Sequence, residues 1–170
     1  MPRLTKLIAG LLVYVMNSAI AQDTPPPTLP TEYAFTIEAA ITAAIPMGES
    51  VDGTRRSIPI TGGSVHGKDI EGEVLAGGAD YQVTRSDGTT MLSAVYMIKT
   101  NDGALINVVN EGFIVPPNTR DNAAQYFRTA PRFTAPKGKY GWLNNTVFVC
   151  GVRFSPQKPG VVIIDVYRVL

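Results

Sequence analysis

Apolar side chains recur at every second position from Tyr33 to Ile41, with smaller or polar residues between them. A period of two is typical of a β-strand that buries one face. This strand would place Tyr33, Phe35, Ile37, Ala39 and Ile41 on its inner face. Similar runs, rich in β-branched and aromatic residues, predict strands at 92–98, 105–109, 126–133, 147–154 and 161–169, and weaker ones at 55–60, 65–75 and 81–84.

Turn signals between these runs indicate how the strands connect. Asp87-Gly88 and Asp102-Gly103 lie directly between predicted strands, and Asp-Gly pairs supply the positive φ that tight hairpins need. Neighbouring strands are therefore expected to be antiparallel. The pattern predicts an all-β fold, a single antiparallel β-barrel of about 8–10 strands with a lipocalin-like general shape.

The strand at 92–98 and its flanks are apolar on both faces. Met91, Val95 and Met97 would point one way, and Leu92 and Tyr96 the other. A sheet that is apolar on both faces needs a cover on each, so we expect a homodimer or a capped barrel. A membrane barrel would also hide such a face, but the strands lack paired aromatic girdles and are interrupted by Gly and Pro.

The amino terminus resembles an export signal. Arg3 and Lys6 precede an apolar run over residues 7–16, and small residues at 18–21 suit signal peptidase. An uncleaved anchor helix would need about 20 apolar residues, and Asn17 interrupts the run too early. We therefore expect a signal peptide at 1–21, a Pro-rich linker at 22–31 and a β-barrel domain at 32–170. The protein is then secreted or periplasmic, with no membrane span in the mature chain.

Composition limits the function further. A chain of 170 residues with 45% hydrophobic and 17% charged residues suits one globular domain. The net charge of +1 and the scattered basic residues argue against nucleic-acid binding. Cys150 is the single cysteine and His66 the single histidine, so no internal disulfide is expected, and neither a Cys–His pair nor a metal site is favoured. No cofactor is implied.

Glycines dominate residues 61–80, with Gly62-Gly63, Gly67, Gly72 and Gly77-Gly78. A phosphate-binding loop would need Ser or Thr directly after Gly67-Lys68 and then a helix, but Asp69 follows the pair and no helical pattern comes after it. Glycines in this position instead permit bulges and close approaches where a barrel closes.

Several motifs run in order along almost the whole mature chain. They are Ile60-Thr61-Gly62-Gly63, Gly77-Gly78-Ala79-Asp80, Asp102-Gly103-Ala104, Asn110-Glu111-Gly112, Tyr126-Phe127-Arg128-Thr129-Ala130-Pro131 and Trp142-Leu143-Asn144. Together they resemble the family catalogued as domain of unknown function 3237. The resemblance implies a small antiparallel β-barrel, found in bacteria and fungi, with no established activity. Where the family often has an arginine and an aspartate, this chain has Val95 and Asn101.

Asp80, Arg128 and Tyr126 are the candidate catalytic residues. Asp80 follows Gly77-Gly78 at a strand start, where its carboxyl group can point into a cavity as an acid or base or can cap a turn. Arg128 shares a strand face with Tyr126. If that face is inward, Arg128 needs a buried partner, and Asp80 is the expected one. A structural ion pair would explain the pattern equally.

Four further residues are candidates for ligand binding: Asn110, Tyr96, Trp142 and His66. Asn110 interrupts an apolar strand and could orient a ligand or be a satisfied polar group of the barrel. Tyr96 would contribute to aromatic walls, and Trp142 would either cover the mouth or plug one end. His66 is a tempting base but belongs to a glycine-rich stretch, predicted to be an exposed loop.

Three functions remain open on these grounds. The barrel could bind a small apolar or aromatic organic molecule, act as a cofactor-free isomerase or cyclase through Asp80 and Arg128, or serve as a structural module with a filled interior. The interior volume distinguishes them, because binding pockets measure about 300 Å³ or more.

Overall fold

A computed structural model describes residues 26–117 and 125–170. The expected signal peptide lies outside the described residues, as does most of the expected linker. Ten strands and one short 3-10 helix, Gly141–Asn145, make up the regular structure. The strands are β1 (Thr31–Ile41), β2 (Ile45–Ser50), β3 (Gly53–Gly67), β4 (Glu71–Val74), β5 (Gly78–Thr84), β6 (Thr90–Thr100), β7 (Leu105–Val115), β8 (Tyr126–Thr134), β9 (Phe148–Phe154) and β10 (Val161–Val169).

The strands close into an antiparallel barrel. The pairing runs from β1 through β10, β9, β8, β7 and β6, and β3 returns to β1. Two short strands, β4 and β5, lie between β6 and β3. Each of them pairs with both β6 and β3, and they do so along different stretches of these two strands. They therefore occupy one position in the ring, which gives eight strand positions. The predicted all-β antiparallel barrel is confirmed.

The observed strands differ from the sequence pattern at three places. β7 extends to Val115, beyond the predicted 105–109. The stretch predicted as one strand at 65–75 contains the end of β3, a turn and the whole of β4. The hairpin strand β2 was not predicted, because it contains Pro46 and Gly48 and most of its side chains are exposed. Without a buried face, no alternating pattern marks it.

A bulge in β1 changes the face on which Tyr33 lies. Tyr33 pairs with Tyr167 and Phe35 with Val166, so one extra residue on β1 stands between the two pairs. Tyr33 consequently points outward, and 48% of it is exposed. The prediction that Tyr33 shares the inner face of Phe35 is wrong, because a one-residue bulge reverses the alternation.

Aromatic side chains fill one end of the barrel, which we call the closed end. The ring centroids of Phe133 and Phe148 lie 5.1 Å apart, and those of Phe35 and Phe133 lie 5.6 Å apart. Trp142, on the 3-10 helix, lies 5.8 Å from Phe148. This helix covers the closed end, and such edge-on aromatic contacts stabilise the packing beyond their buried area.

Asp102 connects the segment before the 3-10 helix to the β6–β7 hairpin. Its carboxylate accepts hydrogen bonds from Thr100 Oγ1 at 2.5 Å, Lys139 Nζ at 2.9 Å and Tyr140 Oη at 2.9 Å. Since Tyr140 is buried, the Asp102 contacts hold the covering segment against the barrel.

The outer surface carries many partly exposed apolar side chains. On the outer faces of the strands these include Tyr81, Met91, Val95, Met97, Leu105, Phe113, Val115, Tyr126 and Val149. This agrees with the two-faced pattern of 92–98 in the sequence. The homodimer expected to cover such a face stays a prediction.

Among the described residues there is no helix of sufficient length and apolarity to cross a membrane.

Candidate functional site

A cavity occupies the half of the barrel opposite the closed end. It encloses about 100 Å³, and its empty space reaches about 660 Å³ when the solvent-open mouth is included. The enclosed part is smaller than the ~300 Å³ of typical ligand pockets and is nearer to the ~150 Å³ that holds benzene in an engineered cavity. The barrel is therefore not completely filled, and its closed part suits one small ring. The walls are mainly aliphatic and aromatic side chains, among them Ile58, Ile60, Leu92, Ala94, Ile114, Phe127, Val152, Phe154 and Ile164.

Asp80 contributes its carboxyl group to the wall of this cavity. The backbone N–H of Ser93 donates to Oδ1 at 3.1 Å, and Gln82 Nε2 donates to Oδ2 at 2.6 Å. Burial raises the pKa of Asp80 above its usual value, although the hydrogen bonds from Gln82 and Ser93 and the charge of Arg56 act in the opposite direction. A carboxyl group whose pKa moves towards neutrality can serve as both a proton donor and a proton acceptor.

A chain of hydrogen bonds leads from solvent to Asp80. Arg56 is exposed, lines the cavity and donates from Nε to Gln82 Oε1 at 2.7 Å. Gln82 is 5% exposed, and its Nε2 group donates a hydrogen bond to Asp80. Its amide orientation is fixed because both ends are bonded. Arg56 and Gln82 were not predicted from the sequence. The one signal available for each is that it lies two residues from an inward residue of its strand, Ile58 for Arg56 and Asp80 for Gln82.

Asn110 lies in the same row of the barrel wall as Asp80. Asp80 pairs with Ala94 of β6, and Ala94 pairs with Asn110 of β7. Tyr96 is the next inward residue on β6, which makes it a diagonal neighbour of Asn110. All three side chains line the cavity. The structure therefore brings together Asp80, Asn110 and Tyr96 from the residues predicted by sequence.

Three buried polar atoms of this cavity have no hydrogen-bond partner within the described part of the chain. They are Tyr96 Oη, Asn110 Oδ1 and Thr129 Oγ1. Tyr96 is 3% exposed and Asn110 4%. Buried polar groups are normally paired, since an unsatisfied one costs about 1–3 kcal/mol. Thr129 lies beside the Cys150 thiol, so Tyr96 Oη and Asn110 Oδ1 are the two of these atoms most available to a water molecule or to a polar group of a ligand.

Tyr96 and Cys150 remain protonated at neutral pH. Burial, together with nearby Cys150 and Asp80, raises the pKa of Tyr96 far above its usual value. Burial also raises the pKa of the Cys150 thiol to about 12. The Tyr96 hydroxyl is consequently available as a hydrogen-bond donor, and Cys150 has the character of an inert core residue.

Arg128 and Tyr126 lie on the outer face of the barrel, so the expected pairing of Asp80 with Arg128 is not formed. On β8 the inward positions are Phe127, Thr129, Pro131 and Phe133. Arg128 donates from Nη1 to the carbonyl of Phe127 at 2.8 Å, and its guanidinium lies 5.7 Å from the Tyr126 ring centroid. Both faces of β8 carry large side chains, and the sequence pattern therefore could not tell which face is inward.

His66 and Trp142 also lie away from the cavity. His66 is exposed on β3, where it pairs with Thr36 and Glu71. The predicted strand at 65–75 is therefore correct at His66, and the prediction of an exposed loop there is wrong. Gly62, Gly63 and Gly67 belong to the same strand, which has one register shift between Ile60 and Gly62. Trp142 packs at the closed end, so of its two expected positions it takes the one that plugs the barrel.

No cluster of three His, Cys, Asp or Glu side chains that could hold a metal ion occurs in residues 26–117 and 125–170.

Comparison with known proteins places these features in a wider group. The model of the family described as "Protein of unknown function (DUF3237)" matches residues 29–169. A UPF0311 protein of Rhodopseudomonas palustris is 40% identical over 154 residues, which cover 85% of this chain and 99% of the relative. The hydroalkoxylation enzyme phnH of Penicillium herquei is 30% identical over 138 residues, covering 81% of this chain and 82% of the enzyme.

Solved structures agree with the fold. The crystal structure of the Rhodopseudomonas palustris protein, described as conserved and of unknown function, has a TM-score of 0.76 at 39% identity. It covers 85% of this chain and 100% of its own. A β-barrel-like protein of Acinetobacter baumannii has a TM-score of 0.76 at 31% identity, covering 88% of this chain and 100% of its own.

Proposed function

Because the chain belongs to the DUF3237 family, whose name assigns no activity, we propose its function from the cavity: the barrel binds a small, mainly apolar organic molecule. The observation that carries the proposal is an apolar cavity in which buried polar atoms lack partners. Apolar walls supply affinity, and a few convergent polar groups fix the orientation of a ligand.

A second function, acid–base catalysis without a cofactor, is favoured by Asp80. Its carboxyl group has a raised pKa, lies in an apolar wall and is held by Ser93 and Gln82. A relative at 30% identity is named a hydroalkoxylation enzyme. Hydroalkoxylation adds an O–H group across a carbon–carbon double bond, so one proton must reach carbon and another must leave oxygen.

A single carboxyl group can perform both transfers. Protonated Asp80 would donate its proton to an alkene carbon while the substrate oxygen forms a bond to the neighbouring carbon. The carboxylate of Asp80 would then accept the hydroxyl proton and return to its starting state. The π bond and the O–H bond break, the C–H and C–O bonds form, and no oxidant or reductant is needed. Positioned general acids and bases contribute about 10²–10⁴-fold in rate.

Asp80→Asn separates binding from catalysis. We expect the variant to retain the affinity of the wild-type protein for 2-allylphenol and to lose its conversion to the cyclic ether by about 100-fold or more, followed by NMR. Arg128→Gln, on the outer face, is the matched control and should convert the probe at the wild-type rate. Equal conversion by wild-type protein and Asp80→Asn would contradict catalysis by Asp80, and a wild-type protein that binds but does not convert the probe would leave binding as the function.

We also propose that the protein is exported, with cleavage after Ala21. The intact mass of protein recovered from the medium or periplasm tests this. A mass that begins near Gln22 supports export, whereas full-length protein retained in the cytoplasm contradicts it.

A further inference from the structure

We propose that the ligand presents a neutral hydroxyl group to Asn110 and Tyr96 inside the barrel. This inference rests on the proposed binding function and specifies the class of molecule, a small hydrocarbon ring that carries one hydroxyl. The unpartnered atoms limit what the ligand can donate or accept, and the charges that face the cavity limit its ionisation.

Asn110 Oδ1 can only accept a hydrogen bond, so its missing partner must be a donor. Tyr96 Oη keeps its proton because burial raises its pKa, and it can therefore donate to a ligand oxygen. Asn110 and Tyr96 are diagonal neighbours on adjacent strands and line the same cavity, and diagonal neighbours are within reach of long and aromatic side chains. A hydroxyl donates and accepts at the same atom and satisfies both residues. A carbonyl or an ether would leave Asn110 Oδ1 without a donor.

The charges around the cavity disfavour an ionised ligand group. Asp80 is the acidic residue of the cavity wall, and Arg56 is the basic one. Arg56 is exposed at the mouth and is bonded to Gln82. A buried carboxylate or phenolate would therefore face Asn110 Oδ1 and the Asp80 carboxyl without an adjacent cation, which is costly in an apolar environment. An ammonium group could donate to Asn110 Oδ1 but could not accept from the protonated Tyr96 hydroxyl, and its burial in an apolar wall is costly as well. The buried end of the ligand is consequently neutral.

The enclosed volume limits the size of this end. About 100 Å³ is of the order of one small ring, given that ~150 Å³ holds benzene. Larger parts of a ligand would extend into the mouth, between Phe127, Phe154 and Val162. Phenol and cyclohexanol are therefore suitable probes, and toluene and methylcyclohexane are matched in size but lack the hydroxyl group.

The test is a set of dissociation constants, measured by NMR titration of the full mature protein with these four probes. We expect phenol to bind about tenfold or more tightly than toluene, and cyclohexanol to exceed methylcyclohexane similarly. Toluene is the more hydrophobic of the first pair, so an apolar cavity without polar recognition would reverse the order. Toluene binding as tightly as phenol would overturn the hydroxyl inference while supporting the binding function. If none of the four probes binds, the proposed function itself is contradicted.

Variants identify the residues involved. Asn110→Leu and Tyr96→Phe should each weaken phenol binding about tenfold and change toluene binding by less than about threefold. Asn107→Leu is the matched control, because Asn107 is an exposed amide on the outer face of the same strand. An unchanged phenol affinity in folded Asn110→Leu would overturn the assignment. If that variant does not fold, the wild-type preference for phenol over toluene and the Tyr96→Phe result still decide the question.

Discussion

Gln82 Nε2 lies 2.6 Å from Asp80 Oδ2, two positions away on the same strand, and the oxygen of the same amide accepts from Arg56. A hydrogen bond donated to a carboxylate stabilises its charged form and lowers its pKa. Gln82 thereby opposes the effect of burial on Asp80.

Replacing Gln82 should raise the pKa of Asp80 further. In Gln82→Met the side chain keeps its length but loses the N–H donor, so the charged form of Asp80 loses support. We expect the Asp80 carboxyl resonance in an NMR titration to shift its midpoint to higher pH than in the wild type. Gln157→Met, at an exposed position near β10, is the control. A midpoint that stays in place or moves to lower pH would show that Gln82 does not act on Asp80.

The raised pKa of Asp80 predicts how stability depends on pH. The folded protein holds the Asp80 proton more tightly than the unfolded chain does. Its contribution is therefore fully present below the unfolded pKa of about 3.9 and is lost as pH rises through the folded pKa. Relative to Asp80→Asn, the wild-type protein should lose free energy of unfolding as the pH rises from about 4 towards neutrality. Urea unfolding of both proteins across this range measures the difference, and a difference independent of pH would refute the shift.

Asp102 predicts the opposite pH dependence. Hydrogen bonds from Thr100, Lys139 and Tyr140 hold the pKa of Asp102 well below its usual range. The stability that these contacts supply is present above the unfolded pKa of about 3.9 and is lost as pH falls through the folded value. Asp102→Asn should therefore lower the melting temperature at pH 7 and reduce the fall of melting temperature on acidification. Asp69→Asn, at an exposed carboxylate, is the comparison; equal acid sensitivity of wild-type protein and Asp102→Asn would contradict the role of Asp102.

Gly78 leaves space for Tyr96. A Cβ atom at position 78 would lie 2.5 Å from Tyr96 Cβ and 2.7 Å from the carbonyl oxygen of Val95. Gly78→Ala should destabilise the protein by about 1–3 kcal/mol, the usual cost of overpacking, as measured by urea unfolding. Gly151→Ala is matched, because Gly151 lies in a strand without positive φ and a methyl group added there would have no other atom within 4 Å; we expect it to be neutral or slightly stabilising. Comparable losses in the two variants would show that contact with Tyr96 is not the cause.

The sequence was informative about the fold because strand alternation and Asp-Gly turns are local signals. Met91 and Leu92, for example, were separated correctly between two apolar faces. Asp80 was identified from its position after Gly77-Gly78 at a strand start, Asn110 as a polar residue in an apolar strand, and Tyr96 as an aromatic wall residue. The barrel places all three in one cavity.

The errors come from information that is not local. Whether Arg128 faces inward depends on the register of β8 against β7 and β9, where Arg128 pairs with Phe113 and Gly151. Tyr33 was misplaced by a single bulge. Arg56 and Gln82 were overlooked because their roles arise only when β3 and β5 pair and bring them side by side. A strand's partner, and not its own pattern, decides these cases.

The aromatic packing of Phe35, Phe133, Phe148 and Trp142 gives the described barrel the form of a blind tube. A molecule that enters the cavity past Arg56 would move towards the closed end and would have to leave through the same mouth. In the proposed binding mode, the end of the ligand that enters first is the end that contacts Asn110 and Tyr96. The ligand would therefore always bind in the same orientation. A bound ligand must therefore leave such a tube before the next one can enter, and the cavity would hold one molecule at a time.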